Sequence, residues 1–515
     1  MGGWRFFASR LKEFNPIHIV LWDTRQEKVT KDFGGGFGMG QYHGRGGIRG
    51  KLIRRAYLRD YRPVALQFAY LAGVFRKLGH TVQFSEDAAP AGADLYVFNP
   101  SIVTLDVERT AMRKVLKQTP GARVLVTGVV GHTMPEAFAD LDVTIVRGEA
   151  EQLLWKLDEV LSADSSVVDL GSVEDLDTLP FPDWSLFSPH RFRVGYDFTK
   201  FPTGLIQQSR GCNYNCNYCP YIVIENRTRF RSPECIVEEM QYGMRKYGFR
   251  SFKFRDPLFG LKRPRVMELV ELMGRLPRKI QFSIETRINL LRRETVEALR
   301  DVGLTSITVG IETPDDQILR KYKRMPIQGD QQQQFVAMCR ELGIRSVAGF
   351  MIGFPNDTTD SIRNVLNYAK QLNPTFANFN IVTPYPGTAF YEEMKDKLSD
   401  ASITEYDMYT PVMKYEHLTR EEVQALHAKC FTSYYFRWPY LFENAHLLWP
   451  ILRKLGIGRR FKRPVVAAPP QLKSALSKHA AGESLPLVRL DSVKPAAMSQ
   501  STHTAKEQAS ERACA

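Results

Sequence analysis

The sequence lacks the long apolar segments that cross a lipid bilayer. Its 515 residues contain no run of about 20 apolar side chains, the length that a membrane-spanning helix needs. The N-terminus, MGGWRFFASRLKEF, has no apolar core of the kind found in secretory signals. We therefore expect a cytoplasmic protein that touches membranes only at their surface.

Cysteine is also scarce, with seven residues in the chain. Three of them, Cys212, Cys216 and Cys219, lie in RGCNYNCNYCPY, while the others stand singly. The odd total argues against a disulfide framework, and the absence of a second C-x2-C pair argues against a zinc site, although three thiolates could form half of one. Clustered thiolates suit a soft metal centre, and a 4Fe–4S cluster with three cysteine ligands leaves one iron open.

The sequence has no phosphate-binding loop and no internal repeat. The glycine-rich segment Gly34–Gly50 lacks the G-x4-G-K-[ST] order, so it predicts either a mobile loop or a backbone that approaches a ligand closely. The length of the whole chain and its 43% hydrophobic content predict a folded protein of two or three domains.

Short apolar strands alternate with amphipathic helices in two series, which predicts an α/β fold with parallel sheets. We predict a Rossmann-like domain over residues 1–161, a proline-containing linker over 162–200 and a partial (β/α)6 barrel over 201–400. A helical region over 401–465 and a disordered tail over 466–515 complete the expected organisation. The cysteine loop follows the first barrel strand, and ligands in such folds bind at the carboxyl ends of strands.

The spacing C-x3-C-x-aromatic-C, with Tyr218 as the aromatic residue, resembles the signature of the radical S-adenosylmethionine (SAM) superfamily. The resemblance implies that Cys212, Cys216 and Cys219 bind a 4Fe–4S cluster whose free iron chelates SAM. It further implies cleavage of SAM to methionine and a 5′-deoxyadenosyl radical, with electrons from an external flavodoxin- or ferredoxin-type donor.

Contacts to SAM can be assigned from the barrel strand ends. Arg287 is our candidate for binding the SAM carboxylate, because a guanidinium can donate two parallel hydrogen bonds to a carboxylate. The alternative is that Arg287 is an ordinary surface arginine. The resemblance assigns Glu312 in GIET to SAM and places the adenine near Tyr218, Gly349, Gly353, Pro386 and Gly387. Tyr218 has loop packing as its alternative. Asp256, where relatives read D-D-N-F but this chain reads RDPLF, and Tyr385 are candidates for the substrate cavity.

Residues 128–138, 143–157 and 175–184 resemble the cobalamin-binding domain that precedes many radical SAM barrels. The resemblance implies a cobalamin site on strand-end loops containing Ser101, Thr104, Gly128, Gly131, His132, Gly148 and Glu149. The D-x-H-x-x-G motif that supplies a cobalt ligand elsewhere is missing. His43 and His132 are therefore metal-ligand candidates, with solvated loop histidines as the alternative. Bound cobalamin would imply a C-methyltransferase; without it, the expected reaction is cyclisation, oxidation or C–C coupling.

The C-terminal segment 437–464 combines aromatic and leucine residues with a basic run, which is typical of a membrane-surface segment. Its alternative is a helix that packs on the barrel. The net charge of +14 also suits an anionic surface, and we expect a small-molecule or lipid-like substrate at the inner face of the membrane. The resemblance implies no nucleic-acid partner, because the RNA-modifying members of the superfamily carry an extra RNA-binding β-domain and no β-rich segment follows the barrel here. A non-catalytic iron–sulfur scaffold is the rival hypothesis.

Overall fold

The computed structural model describes residues 15–24, 29–31, 34–40, 42, 44–57, 65–86, 92–188, 200–327 and 330–444. The expectations for His43, for most of the segment 437–464 and for the tail 466–515 lie outside these residues. Within the described ranges, no helix has both the length and the apolarity needed to cross a bilayer.

The first half of the chain builds a six-stranded parallel sheet with the strand order β4-β1-β5-β6-β7-β8. The strands in this half are β1 (His18–Trp22), β2 (Val29–Thr30), β3 (Met39–Gly40), β4 (Thr81–Ser85), β5 (Leu95–Phe98), β6 (Arg123–Val126), β7 (Thr144–Arg147) and β8 (Val167–Asp169), of which β2 and β3 pair separately as a hairpin. The helices are α1 (Gly47–Tyr57), α2 (Leu66–Lys77), α3 (Leu105–Gln118), α4 (Gly128–Thr133) and α5 (Leu153–Ser162). The predicted α/β class is confirmed.

The predicted linker is a folded part of the molecule rather than a spacer. Its residues 167–169 form β8, which pairs with β7. Further along, Trp184 and Phe187 are buried, and a Cβ on Gly73 of α2 would lie 2.6 Å from the carbonyl oxygen of Phe181. The prolines exclude long helices here, but they do not prevent apolar side chains from packing in an extended chain.

The second half builds another six-stranded parallel sheet, with the order β16-β15-β14-β13-β12-β9. Its strands are β9 (Thr203–Ile206), β12 (Ser251–Phe254), β13 (Gln281–Thr286), β14 (Leu304–Glu312), β15 (Arg345–Ile352) and β16 (Phe376–Ile381), and the short strands β10 (Ser209–Arg210) and β11 (Arg229–Phe230) form a hairpin beside it. Its helices are α6 (Pro233–Lys246), α7 (Arg263–Gly274), α8 (Arg293–Val302), α9 (Asp316–Lys321), α10 (Gln331–Glu341), α11 (Thr359–Leu372) and α12 (Ala389–Met394). Because the strands follow in chain order and β9 and β16 are the edges, the barrel is open between those two strands.

Two C-terminal helices follow, α13 (Arg420–Tyr435) and α14 (Trp438–Glu443). Thr419 and Glu422 form a capping box that begins α13. Helix α13 packs against β16 at the open side of the barrel, and α1 packs against α13. The described residues belong to one compact unit, so the open side of the barrel is covered by elements from both ends of the chain.

Candidate active site

The cysteine loop is fixed to the barrel by a buried carboxylate. Asp256, at the end of β12, accepts hydrogen bonds from the Ser209 amide (2.5 Å), the Ser209 hydroxyl (2.6 Å) and the Gln208 amide (3.1 Å). The sequence led us to expect Asp256 in the substrate cavity, but it is completely buried and does not line the cavity. The three hydrogen bonds satisfy this buried carboxylate and fix the residues that lead into the cysteine loop.

A glycine and an ion-pair network shape the next part of the loop. Gly211 has a φ of 79°, and a Cβ there would lie 2.2 Å from the Arg227 carbonyl oxygen. Arg229 on β11 forms two hydrogen bonds to Glu149, at 2.8 and 2.7 Å, and Arg210 on β10 donates to Glu151 at 2.8 Å. The hairpin therefore joins the cysteine loop to the first sheet.

Cys212, Cys216 and Cys219 all line one cavity at the carboxyl ends of the barrel strands. None of the six cysteines in the described ranges forms a disulfide. In the same ranges, no three Cys, His, Asp or Glu side chains lie close enough to share one metal ion. A 4Fe–4S cluster does not require three side chains around one ion, since each thiolate binds a different iron.

Arg287 lies beside the thiols, immediately after β13. Its side chain is 4% exposed, and its guanidinium stands 4.4 Å over the ring of Tyr214. One nitrogen, Nη2, donates to the Met325 carbonyl at 2.7 Å, while Nε and Nη1 are buried and have no hydrogen-bond partner among the residues that the structure describes. Burial and the nearby Arg324 lower the pKa of Arg287. Two unpaired donors on a buried cation fit an anionic ligand such as the SAM carboxylate.

Glu312 ends β14 in a strained conformation and pairs with a second arginine. Its φ is 68°, which is rare for a residue with a side chain and is typical of functional sites. Arg324 lies 3.1 Å from the Glu312 carboxylate and donates to the Gly310 carbonyl at 2.7 Å; it also hydrogen-bonds Cys216. A Cβ on Gly310 would lie 2.3 Å from Glu312 Oε1, so the glycine makes room for this pair.

The cavity continues from the thiols into the barrel and has a volume of about 360 Å³, within the range of small-molecule sites. Most of its wall is apolar or aromatic, with a few polar side chains deeper in the barrel. The aromatic wall residues include Tyr42, Tyr214, Tyr385, Tyr409, Phe431 and Tyr435. The polar ones include Lys253, Glu285, Thr308, Asn378 and Asn380.

The polar groups form two clusters in the wall. Glu285 accepts from Lys253 at 3.1 Å and from Arg255 at 2.8 Å. Burial alone would raise the pKa of Glu285, but the two cations outweigh it and lower the pKa. Across the barrel, Asn378 donates to Asn380 at 2.8 Å and accepts from the Tyr409 hydroxyl at 3.1 Å. These groups give an otherwise apolar cavity fixed hydrogen-bonding positions.

Of the residues expected near the adenine, Tyr218 and Gly349 line the cavity and the others do not. Gly353 instead donates its amide to Asp357 at 2.7 Å. Pro386 is buried, and Gly387 lies against Thr133, whose Cγ2 would be 2.7 Å from a Cβ at that position. The turns at Gly353 and at Pro386 and Gly387 therefore lie outside the cavity wall, although Met351 and Thr383 at the same two strand ends line it. Tyr385, expected in the substrate cavity, does line it.

The predicted cobalamin edge of the first sheet is covered by the chain's own residues 34–40. The Ile102 amide donates to the Phe37 carbonyl at 2.8 Å, and the Phe37 ring stacks on Tyr385 of the barrel at 4.8 Å. Below this segment, Ser101 and Thr104 hydrogen-bond one another at 2.7 Å, and Thr104 donates to Glu108 at 2.7 Å. Ser101 and Thr104 are therefore engaged with other residues of the chain at this edge.

The other residues expected at cobalamin also have partners within the chain. A Cβ on Gly128 would lie 2.0 Å from Asn99 Oδ1, and one on Gly148 would lie 2.3 Å from the Gly171 carbonyl. Gly131 packs against Val126 and Ile145. His132 Nδ1 accepts from the Gly148 amide at 3.3 Å, and burial lowers the pKa of this histidine. Glu149 is paired with Arg229, as above, so these groups hold the loops together as the chain is folded here.

Comparison with known proteins identifies the barrel. Residues 206–369 match the Radical SAM superfamily, a range that takes in the cysteine loop, Arg287, Glu312 and Arg324. The chain therefore contains a radical SAM domain over these residues. The prediction made from the cysteine spacing is confirmed, and the three cavity-facing thiols and the unpaired Arg287 nitrogens fit the 4Fe–4S cluster and SAM that such domains hold.

Two relatives extend the comparison along the chain. An uncharacterised methyltransferase of Pyrococcus horikoshii is 27% identical over 268 residues, covering 52% of this chain and 57% of the relative. The anaerobic magnesium-protoporphyrin IX monomethyl ester cyclase of Cereibacter sphaeroides is 24% identical, covering 76% of this chain and 72% of the relative. The chain thus spans little more than half of the first relative.

A solved structure shares the arrangement of both sheets. The cobalamin-dependent radical SAM enzyme OxsB, solved with aqua-cobalamin and SAM bound, has a TM-score of 0.59 and 13% identity, covering 90% of this chain and 71% of OxsB. This likeness shows the fold, including the first sheet in front of the radical SAM barrel.

Sequence reasoning missed several residues of the radical SAM cavity. Arg324 reaches Glu312 and Cys216 from beyond β14, and its only sequence signal is a basic cluster, KYKR, after a short helix. Lys253 faces inward from an apolar strand, where a lysine is unusual. Met39, Tyr42 and Ile53 reach the cavity from the N-terminal half, and nothing in their local pattern indicates it.

Proposed function

We propose that this chain is a radical SAM enzyme that activates a C–H bond of a largely apolar small molecule, with methyl transfer as the outcome. The observation that carries the proposal is the cavity in which three thiols adjoin a buried arginine with two unpaired donors. When bound, the cluster and SAM together supply the 5′-deoxyadenosyl radical. The residues of the chain bind, orient and enclose the reactants.

Arg287 would hold the SAM carboxylate through Nε and Nη1, the two nitrogens that have no partner. Arg324 places positive charge beside Cys216 and fixes Glu312 at the mouth of the cavity. Glu312, Tyr218 and Gly349 would then line the remainder of SAM. Such preorganised groups lose little entropy on binding, because packing already locks them.

The substrate would lie deeper in the barrel. Aromatic walls favour a flat or extended apolar molecule. The Glu285 cluster and the asparagine pair give it polar anchor points, so we propose a hydrophobic molecule with one or two polar groups. The enclosing walls also keep water from a reactive intermediate. An electron donor of the flavodoxin or ferredoxin type would complete the system.

Methyl transfer with cobalamin is supported by the fold and by the names of the relatives. OxsB carries cobalamin against a comparable arrangement of domains, and the Pyrococcus relative is named a methyltransferase. In this chain the sheet edge that we expect to bind cobalamin is covered by residues 34–40, and we infer that cobalamin binding there would displace that segment. The covered edge favours a second candidate, cyclisation or oxidation without cobalamin, and the Cereibacter relative is named a cyclase.

Cobalt analysis separates the two candidates. We would express the full chain in cells supplied with cobalamin, purify it without oxygen and measure cobalt and iron per chain. Stoichiometric cobalt supports methyl transfer, whereas iron without cobalt supports the second candidate. A matched test replaces Gly38, whose Cβ would lie 2.5 Å from Val103 Cγ2, by valine. If residues 34–40 must move for cobalamin to bind, destabilising their packing should not reduce the cobalt content.

A further inference from the structure

Helix α1 has an outer face that combines apolar and basic side chains. Ile48 is 79% exposed and Leu52 is 49% exposed. Successive residues of a helix are about 100° apart, so these two lie on one face. Arg49 and Lys51 are also exposed and lie on either side of the apolar pair. No acidic residue occurs in α1.

The inner face of the same helix belongs to the cavity wall. Ile53 is buried and lines the cavity. The start of the helix is seated closely on α13, since a Cβ on Gly46 would lie 2.8 Å from Thr432 Cγ2. Helix α1 therefore separates the cavity from whatever covers its outer face.

Helix α14 exposes a second apolar pair. Trp438 and Phe442 are 72% and 74% exposed, and their rings stack with centroids 5.9 Å apart. Arg49 of α1 lies 5.6 Å over the ring of Phe436, two residues before Trp438. Arg49 thus joins α1 to the residues that lead into α14.

We propose that Ile48, Arg49, Lys51, Leu52, Trp438 and Phe442 form a docking face for an anionic lipid bilayer. Apolar and aromatic side chains beside cations suit the boundary between headgroups and acyl chains. The sequence that follows α14 also suits an anionic surface, because residues 444–482 contain no aspartate or glutamate. Six cations lie in that stretch between residues 453 and 463. A nucleic acid would match the cations but not the four exposed apolar side chains.

The docking face deepens the proposed function, on which this step rests. Because α1 carries the docking face outside and Ile53 inside, docking would bring the apolar cavity next to the bilayer. The substrate class that fits this placement is a lipid-soluble molecule drawn from the membrane.

Vesicle sedimentation tests the docking face with the full-length, cluster-reconstituted chain. Vesicles of phosphatidylcholine alone are compared with vesicles that also contain phosphatidylglycerol. We expect binding to the anionic vesicles that weakens with salt. Ile48→Asn and Leu52→Asn should each weaken it about tenfold, from the loss of a buried apolar side chain. Arg49→Gln and Lys51→Gln should each weaken it about fivefold at low salt.

Val107→Asn and Trp155→Asn are the matched controls, because both remove exposed apolar side chains from helices of the first sheet. They should bind vesicles like the wild type. Circular dichroism and iron content check that each variant folds. Absence of vesicle binding, or equal losses in the controls, would overturn the proposal. So would a dimer, seen by sedimentation velocity, that the docking-face substitutions dissociate, since it would assign the face to a second copy. Formation of 5′-deoxyadenosine without vesicles reports separately on the proposed function.

Discussion

Arg287 offers the sharpest test of how the site binds SAM. Its Nε and Nη1 are buried without a partner, while Nη2 is already engaged by the Met325 carbonyl. A carboxylate that accepts from the two unpaired nitrogens would gain charge-assisted hydrogen bonds, each worth about 1.5–3 kcal/mol. Replacing Arg287 by methionine keeps much of the side-chain volume and removes those bonds. One such bond corresponds to a factor of about 10 to 150 in affinity, so we expect SAM affinity to fall by at least that factor.

Equilibrium dialysis of radiolabelled SAM against anaerobically reconstituted protein measures this affinity. Arg287→Lys keeps the charge but loses the planar fork, so its Kd should fall between those of the wild type and Arg287→Met. Arg293→Met is the matched control, because Arg293 is an exposed arginine on α8 paired with Glu341. Iron content must be equal in all four proteins. A wild-type Kd in Arg287→Met would refute the assignment of this arginine to SAM.

Three further predictions concern the framework of the site. Gly211→Ala should lower both thermal stability and cluster content, because a Cβ there would lie 2.2 Å from a backbone oxygen. Gly248→Ala is the control, since Gly248 also has a positive φ but a Cβ there meets no atom within 4 Å, and this variant should lose only about 1 kcal/mol of stability. Equal losses in the two variants would contradict the steric argument. Glu149→Ala should lower the free energy of unfolding by about 3–5 kcal/mol, because it leaves the buried Arg229 without its carboxylate partner. Glu174→Ala, which removes an exposed ion pair with Arg227, should lower it by about 1 kcal/mol or less, as measured by denaturant titration. Burial raises the pKa of Asp256 from 3.8 to about 7. Between these values the unfolded chain binds fewer protons, so this group makes stability fall as pH rises, by on the order of 4 kcal/mol across the window. Asp256→Asn should remove that slope, and an unchanged slope in pH-dependent unfolding would contradict it.

The repeating elements could be predicted because their signals are local. The alternation of short apolar strands with amphipathic helices is visible in the sequence, and helices such as α3, α8 and α11 follow it in the structure. The three cysteines could be found because their spacing is short and specific. Arg287 and Glu312 could be selected from the sequence for a related reason, since polar residues directly after buried strands collect at one end of a parallel sheet.

The covering segments could not be predicted because their contacts are distant in sequence. Phe37 stacks on Tyr385, more than three hundred residues further along the chain, and Ile53 reaches a cavity formed by the barrel. Glu149 illustrates the same difficulty. Its position at a strand end indicated a ligand, but an arginine 80 residues away pairs with it in the fold.

The central claim, that the thiols and Arg287 form a site that cleaves SAM, is tested most directly by measuring 5′-deoxyadenosine. The full chain, reconstituted with iron and sulfide without oxygen, is incubated with SAM and dithionite, and the product is quantified by liquid chromatography and mass spectrometry. We predict 5′-deoxyadenosine and methionine in equal amounts from the wild type, and none from a variant in which Cys212, Cys216 and Cys219 are alanine. Absence of 5′-deoxyadenosine from wild-type protein that holds a complete cluster and binds SAM would contradict the account.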